Sequence, residues 1–280
     1  EGSNSRKNTE KYISATEISL ADARKIKPNC QIGDIVTVEV KSEEFSRRAA
    51  KNAKGTIVQK IREEEKAALY NEYHSKEKEI ILENLDGKRY IGNKIKNKKL
   101  VIRGNLGSKA GKELEETEIF LHGNCQDAIG DSMKSGKIIV EGNCKDATGY
   151  SMQGGKILVL GNAGYRVGIH MTQKKDTTSV IVIGGSVGDF LGESQRDGKI
   201  IVLGLNNDEC PVGKYCASEI SGGSIYIRSK KKPKKLFNDA ICEELENGLE
   251  IEKYLKEFSE EFKVSFHEIL NSKYFKISSK

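Results

Sequence analysis

The sequence predicts a mainly-β protein. Its centre, residues 85–228, reads as a right-handed parallel β-helix, a single-stranded solenoid with coils of about nineteen residues. Three observations carry this. Glycines recur at a fixed step: Gly92, Gly111, Gly130, Gly149 and Gly168 form one series, and Gly104, Gly123, Gly142 and Gly161 another. Whole units repeat, as in GNCQDAIGDSMKSGKIIVE followed by GNCKDATGYSMQGGKILVL. Each unit also ends in a short β-branched run bounded by glycine, which reads as a strand and is too short for a helix.

Seven such runs are visible: Leu100–Ile102, Ile119–Leu121, Ile138–Val140, Ile157–Val159, Val180–Val182, Ile200–Val202 and Ile225–Ile227. The glycines are expected to make turns at positive φ, where a side chain would clash. After an insertion around Gln173–Ser179 they resume at Gly185 and Gly192, then at Gly204 and Gly213. At about 4.8 Å per rung, seven rungs give a rod of roughly 30 Å. The leucine-rich repeat has a similar period, but its L-x-x-L-x-L-x-x-N frame is missing.

Equal slots in adjacent coils should stack. Met133, Met152 and Met171 share one slot and are expected to line the core. Lys99, Glu118, Lys137 and Lys156 share another, with the glutamate set to neutralise its neighbours. Cys125 and Cys144 stack as small buried thiols, Asp127 and Asp146 as loop carboxylates, and Arg103, His122 and Glu141 as a surface charge ladder. Strand alternation sends the first and third residue of each run inward. The second residues, Val101, Phe120, Ile139, Leu158, Ile181, Ile201 and Tyr226, then form an outward apolar stripe. A patch of that length needs a cover: the C-terminal helices, the N-terminal segment, or another subunit, whether a second copy or a different chain.

The flanks read differently. Residues 1–12 are expected to be a flexible start, 13–80 a small α/β segment, 229–248 a basic linker and 249–280 a helical tail. In the N-terminal segment Leu20–Ile26 reads as a short helix and Ile35–Val40 as a strand. A long helix then runs from about Glu43 to Tyr73, its buried side marked by Phe45, Ala49, Ala53, Ile57, Ile61, Leu69 and Tyr73. The linker carries Arg228, Lys230, Lys231, Lys232, Lys234 and Lys235, read as a solvated run able to attract an acidic partner. In the tail, Tyr254, Leu255, Phe258 and Phe262 share one helical face.

Composition bounds the chemistry. Net charge is +6, and charged residues make up 31%. No stretch approaches the roughly 20 apolar residues that span a bilayer, and the first residues hold no apolar signal core, so a cytoplasmic location without a membrane partner is expected. The six cysteines form no CxxC pair and the four histidines are scattered, which argues against structural zinc or an iron–sulfur cluster. The glycine turns do not lead into the helix N-terminus that a phosphate cradle requires. No catalytic, cofactor-binding or metal residue is assigned.

The units G-N-x-x-D-x-x-G-x-x-M-x-G-G-K-I-x-V resemble the GXGXG domain that closes the large subunit of glutamate synthase and also occurs as a separate chain. A similar domain forms one of the subunits of formylmethanofuran dehydrogenase; the helical tail favours the stand-alone glutamate synthase type. The resemblance implies a non-catalytic scaffold subunit of an oxidoreductase in glutamate biosynthesis. Amidotransferase and flavin-binding chains would be its partners, and flavin and iron–sulfur groups would sit on those partners only. Residues 15–73 resemble part of the N-terminal domain of transcription factor NusA. The motif there is Phe45-Ser46-Arg47-Arg48-Ala49-Ala50-Lys51-Asn52-Ala53-Lys54-Gly55, with Ser46, Arg48, Lys51, Asn52 and Gly55 departing from the family pattern. This second resemblance implies a transcription-associated module that binds RNA polymerase.

Overall fold

The computed structural model describes residues 18–37, 54–64, 79–207, 209–236 and 240–280. The chain forms two compact units, Glu1–Ala68 and Leu69–Lys280.

In the first unit, helix α1 is Leu20–Ile26. Ser19 caps it, its hydroxyl accepting the Asp22 N–H at 3.2 Å and so satisfying one of the free amides of the first turn. Ala23 and Cys30 are the buried hydrophobic residues among those described here. Residues 54–64 form a second helix, α2. Ile57 and Ile61, expected on its buried side, are exposed, because no described element of this unit packs against that stripe. The remaining stripe positions, and most of the strand expected at Ile35–Val40, lie outside the described residues; 35–37 carry no strand.

The second unit is the parallel solenoid. Its strands are β1 (Glu79–Glu83), β2 (Lys99–Arg103), β3 (Glu118–His122), β4 (Lys137–Val140), β5 (Gly155–Val159), β6 (Ser179–Ile183), β7 (Lys199–Val202) and β8 (Ser224–Arg228). Each pairs in parallel with the next. All seven expected runs are strands, and β1 adds a rung ahead of them, so the solenoid begins before residue 85. Leu114, Met133, Met152 and Met171 are fully buried in its lumen.

The C-terminal region departs from expectation. Ala240–Leu245, expected as linker, is strand β9, and Tyr274–Ser279, expected as helix, is strand β10. Both join the sheet antiparallel, in the order β8-β10-β9. They cover the last parallel edge, which would otherwise offer unpaired amides and carbonyls. Between them lie a short 3-10 turn (Leu249–Ile251), α3 (Glu252–Phe262) and α4 (Phe266–Leu270). Neither strand announces itself by alternation: Ala-Ile-Cys-Glu-Glu-Leu and Tyr-Phe-Lys-Ile-Ser-Ser draw their pairing from the sheet edge they meet.

The two glycine series have different causes. Gly130 has φ +69°, and a Cβ added to it would lie 2.5 Å from Ile157 Cδ1 in the next coil. Gly142 keeps an ordinary φ; its Cβ would instead lie 2.4 Å from the Gly123 carbonyl oxygen of the coil below. The first series answers the expectation of positive-φ turns. In the second, Gly123, Gly142 and Gly161 are required by close backbone approach, whereas Gly104 has φ +120°.

Candidate functional site: the outer face and its cap

The outward stripe forms, with one correction. Ile139, Leu158, Ile201 and Tyr226 lie on the outer face as expected. Ile181 does not: its partners are Ile157 and Ile200, and it points into the lumen. Val180 and Val182 take the outer positions of that rung. The five-residue insertion before β6 moves the pairing by one residue, and in a strand a one-residue slip exchanges the faces.

The cover is the tail. Helix α3 runs along the stack, across the strands. Tyr226 Oη at β8 donates to Glu250 at 3.0 Å, while Lys156 at β5 and Lys137 at β4 reach Glu257 and Glu261 further along the chain. Tyr254, Leu255, Phe258 and Ile269 are buried against the stripe with Tyr274, whose hydroxyl donates to the Ile269 carbonyl at 2.7 Å. Each such side chain, fully buried, is worth about 1.5–3 kcal/mol, against about 0–1 kcal/mol for a surface ion pair. The apolar seam therefore holds the cap, and the ion pairs fix its position along the stack.

The lysine slot works otherwise than expected. Glu118 lies between lysines in register but is exposed, and Lys137 and Lys156 turn to the α3 glutamates instead. Lys137 lies 3.1 and 3.0 Å from Glu257 and Glu261, and Lys156 lies 2.6 Å from Glu257. Burial opposes ionisation of Glu257, but hydrogen bonds from Lys156 and Lys137 override it and hold its pKa below the ordinary value. The expected Arg103–His122–Glu141 ladder splits in two. Arg103 pairs with Glu83 at 3.1 Å, and His122 Nδ1 with Glu141 at 2.8 Å.

The cap leaves one end of the stripe open. Phe120 is half-buried with the Lys99 ammonium 5.1 Å from its ring, Val101 is half-buried, and Ile81 on β1 is 59% exposed. These three side chains sit in register on β3, β2 and β1.

Two columns of polar side chains tie the coils together. Asn105, Asn124, Asn143 and Asn162 stack, and the Oδ1 of each accepts the N–H of the equivalent residue one coil on, at 2.8–3.0 Å. Asp86 starts this column, accepting the Asn105 N–H at 2.8 Å, and Asp127, Asp146 and Asp189 do the same for a neighbouring position at 2.7–3.3 Å. This identifies Asp127 and Asp146 as structural acceptors. The asparagine column is the ladder that sequence reading missed; its signal was the Gly-Asn pair at four successive repeats.

Three lumenal thiols are disfavoured as thiolates: burial pushes Cys125 up to about 12 and raises Cys144 and Cys216 as well. Cys125 and Cys144 are free and pair through a backbone bridge. Among the described residues no group of three or more histidine, cysteine or acidic side chains is placed to hold a metal, and no helix is long and apolar enough to cross a membrane.

A glycine-cornered parallel solenoid, laddered with asparagine and closed by its own helical tail, is thus the class of this protein. The family described by its GXGXG motif matches residues 47–279, well over half of the chain, and the chain belongs to that family. The NusA N-terminal domain matches residues 5–67. Over its N-terminal segment the chain is 38% identical over 82 residues to the transcription termination/antitermination protein NusA of Bacillus subtilis, covering 28% of this chain and 22% of that protein. NusA of Halalkalibacterium halodurans is 36% identical over 72 residues, covering 26% of this chain and 19% of that protein. For NusA of Thermus thermophilus the figures are 35% over 65 residues, 23% and 17%. The matched segment thus spans about a fifth of these relatives.

Proposed function

We propose that this chain is a non-catalytic scaffold subunit of a glutamate-synthase-type oxidoreductase. The observation that carries the reading is the open end of the outer stripe, Ile81, Val101 and Phe120, on a member of the GXGXG family. The protein's own tail satisfies the rest of the stripe. What is left is an apolar patch with a lysine at its border, of the kind that meets another subunit. The partners are then amidotransferase and flavin-binding chains in the cytoplasm, which carry the flavin and iron–sulfur groups.

Co-expression with those chains from the same host tests this. The expected result is co-elution in one complex, lost when Ile81 and Val101 are changed to Asp. A monodisperse monomer in the presence of every such chain sinks the proposal, and co-elution with formylmethanofuran dehydrogenase chains instead replaces it.

A second reading rests on a different observation, the NusA-like segment at residues 5–67. On that reading the segment docks on RNA polymerase and the solenoid is its cargo. Retention of the chain on immobilised polymerase at low salt supports it; flow-through ends it.

A further inference from the structure

The lysine run after the solenoid is not a free linker. Residues 229–236 continue the coil: the Tyr215 N–H bonds the Lys235 carbonyl at 3.2 Å, as each coil bonds the next. Buried Ser229 holds the turn, its hydroxyl donating to the Lys231 carbonyl at 2.7 Å and accepting the Lys231 N–H at 3.1 Å. Pro233 is buried too, so Lys230, Lys231, Lys232, Lys234 and Lys235 are all splayed into solvent around it. Lys231 pairs with Glu209. Among the described residues no carboxylate lies within ion-pair distance of the other four.

This charged turn continues a column of flat side chains. Arg166, Phe190 and Tyr215 occupy the same corner of successive coils at positive φ, and Lys235, also at positive φ, follows at the carbonyl that accepts the Tyr215 N–H. The Phe190 and Tyr215 rings stack at 5.1 Å with 20° between their planes, and the Arg166 guanidinium lies 5.3 Å from the Phe190 centroid. Arg166 is neutralised by Glu193 at 2.8 Å, so its part in the column is stacking rather than charge. Tyr215 and the neighbouring Tyr165 are exposed. Asp189 accepts the Lys214 N–H and Glu219 the Ser194 hydroxyl, bonds from neutral donors that fix both carboxylates in place without cancelling their charge.

Clustered lysines, four of them outside any ion pair among the described residues and on a turn held by Ser229, suit a chain of regularly spaced anions. Stacked rings one coil away suit a flat apolar ligand. A single-stranded nucleic acid offers both on one polymer, with phosphates for the lysines and bases for the ring column. The geometry points to a single-strand nucleic-acid site on the C-terminal corner of the solenoid, with Lys230, Lys232, Lys234 and Lys235 on the backbone and Tyr215 under a base. This goes beyond the scaffold reading and does not depend on it.

Fluorescence anisotropy of the full chain with a labelled twelve-nucleotide single strand tests the site, with circular dichroism to confirm that each variant is folded. Four phosphate contacts predict that log K falls with log salt with a slope of about −3. Changing the four lysines to Gln abolishes binding at moderate salt. Tyr215→Ala weakens it about 5- to 150-fold, the loss of one stacked base. The idea is overturned if the strand does not bind at low salt, or if binding survives the four Gln substitutions. It is also overturned if Tyr215→Ala changes nothing while inorganic polyphosphate or phosphatidylserine vesicles bind as well as the strand. That last result makes the turn a general anion patch.

Discussion

Replacing Gly130 with Ala should be among the most damaging single-methyl changes in the protein, and its cost can be traced to one atom. The backbone there sits at φ +69°, and the new Cβ would stand 2.5 Å from Ile157 Cδ1. A non-glycine residue in the left-handed region costs about 1–2 kcal/mol. Overpacking a closed core costs about 1–3 kcal/mol more, for a total of about 2–5 kcal/mol. Ile157→Val removes the offending Cδ1 and should by itself cost about 0.5–1.5 kcal/mol. In the double variant the overpacking disappears and only the backbone strain and the lost methylene remain. The two substitutions should then be non-additive by about 1–3 kcal/mol, in the favourable direction. The measurement is a urea-unfolding double-mutant cycle, accepted only if all four proteins share one m-value. Additivity within about 0.5 kcal/mol would refute the steric argument. Ala217→Gly is the internal control. Ala217 occupies the equivalent corner one coil beyond Gly192 at φ +60°, where its native Cβ is already accommodated although Ile277 of β10 takes the next isoleucine position. Relief of about 1–2 kcal/mol of strain is offset there by lost methyl burial, about 0.8 kcal/mol, and by glycine's extra chain entropy, about 0.5–1 kcal/mol. That variant should be close to neutral.

Gln195 stands in the methionine slot of the lumen, and its Oε1 is buried without a hydrogen-bond partner among the described residues. Its Nε2, however, donates to the Asp197 and Gly198 carbonyls at 3.2 and 3.1 Å, so Gln195→Met should lower stability by about 1 kcal/mol, seen as a lower melting temperature, and a higher one means the stranded oxygen costs more than both bonds supply. Asn143→Ala removes the acceptor for the Asn162 N–H and should destabilise by about 1 kcal/mol. Hydrogen exchange should accelerate at amide 162 more than at the lumenal strands; uniform protection loss argues against a local ladder. The cap should respond to pH with a definite sign. The pKa of Glu257 is depressed in the folded state, so its contribution is complete above the ordinary glutamate value near 4.3 and is lost as pH falls through the lower folded value. Burial opposes the charge on Lys137, but Glu261 and Glu257 override it and raise its pKa, so its contribution is lost only as pH rises past the ordinary lysine range. Glu257→Gln should flatten the acid limb of a stability–pH curve, and an unchanged limb excludes this cluster as its origin.

The repeat made the solenoid legible because every coil states the same constraints. A lumenal isoleucine, a corner glycine and a slot methionine recur together, so the inward face can be read by counting. Counting failed where the count changed. The insertion ahead of β6 moved Ile181 inside, and nothing in Ser-Val-Ile-Val-Ile distinguishes its faces, since every residue after the serine is apolar. The cap was half legible. The Tyr254–Phe262 stripe identified a buried helix, but β9 and β10 depend on a sheet edge that local sequence does not contain. The lysine turn was legible as solvated charge but not as a continuation of the coil, because the residues that anchor it, Ser229 and Pro233, carry no charge pattern. The open patch at Ile81 was outside the expected solenoid altogether, because its strand precedes the first full repeat.

The path of α3 has a further consequence. Its ends are tied to different coils, Glu261 to Lys137 at β4 and Glu250, just before it, to Tyr226 at β8. Five rungs at about 4.8 Å span roughly 19 Å, and the dozen residues from Glu250 to Glu261 span about 18 Å at helical rise. The tail is therefore a gauge of coil number. Repeat proteins readily gain or lose units by duplication and deletion, but a unit added or removed between β4 and β8 would put the helix out of step with one of its anchors. Coils added before β4 meet no such check. A coil added there would extend the β1 end, where the apolar stripe lies open.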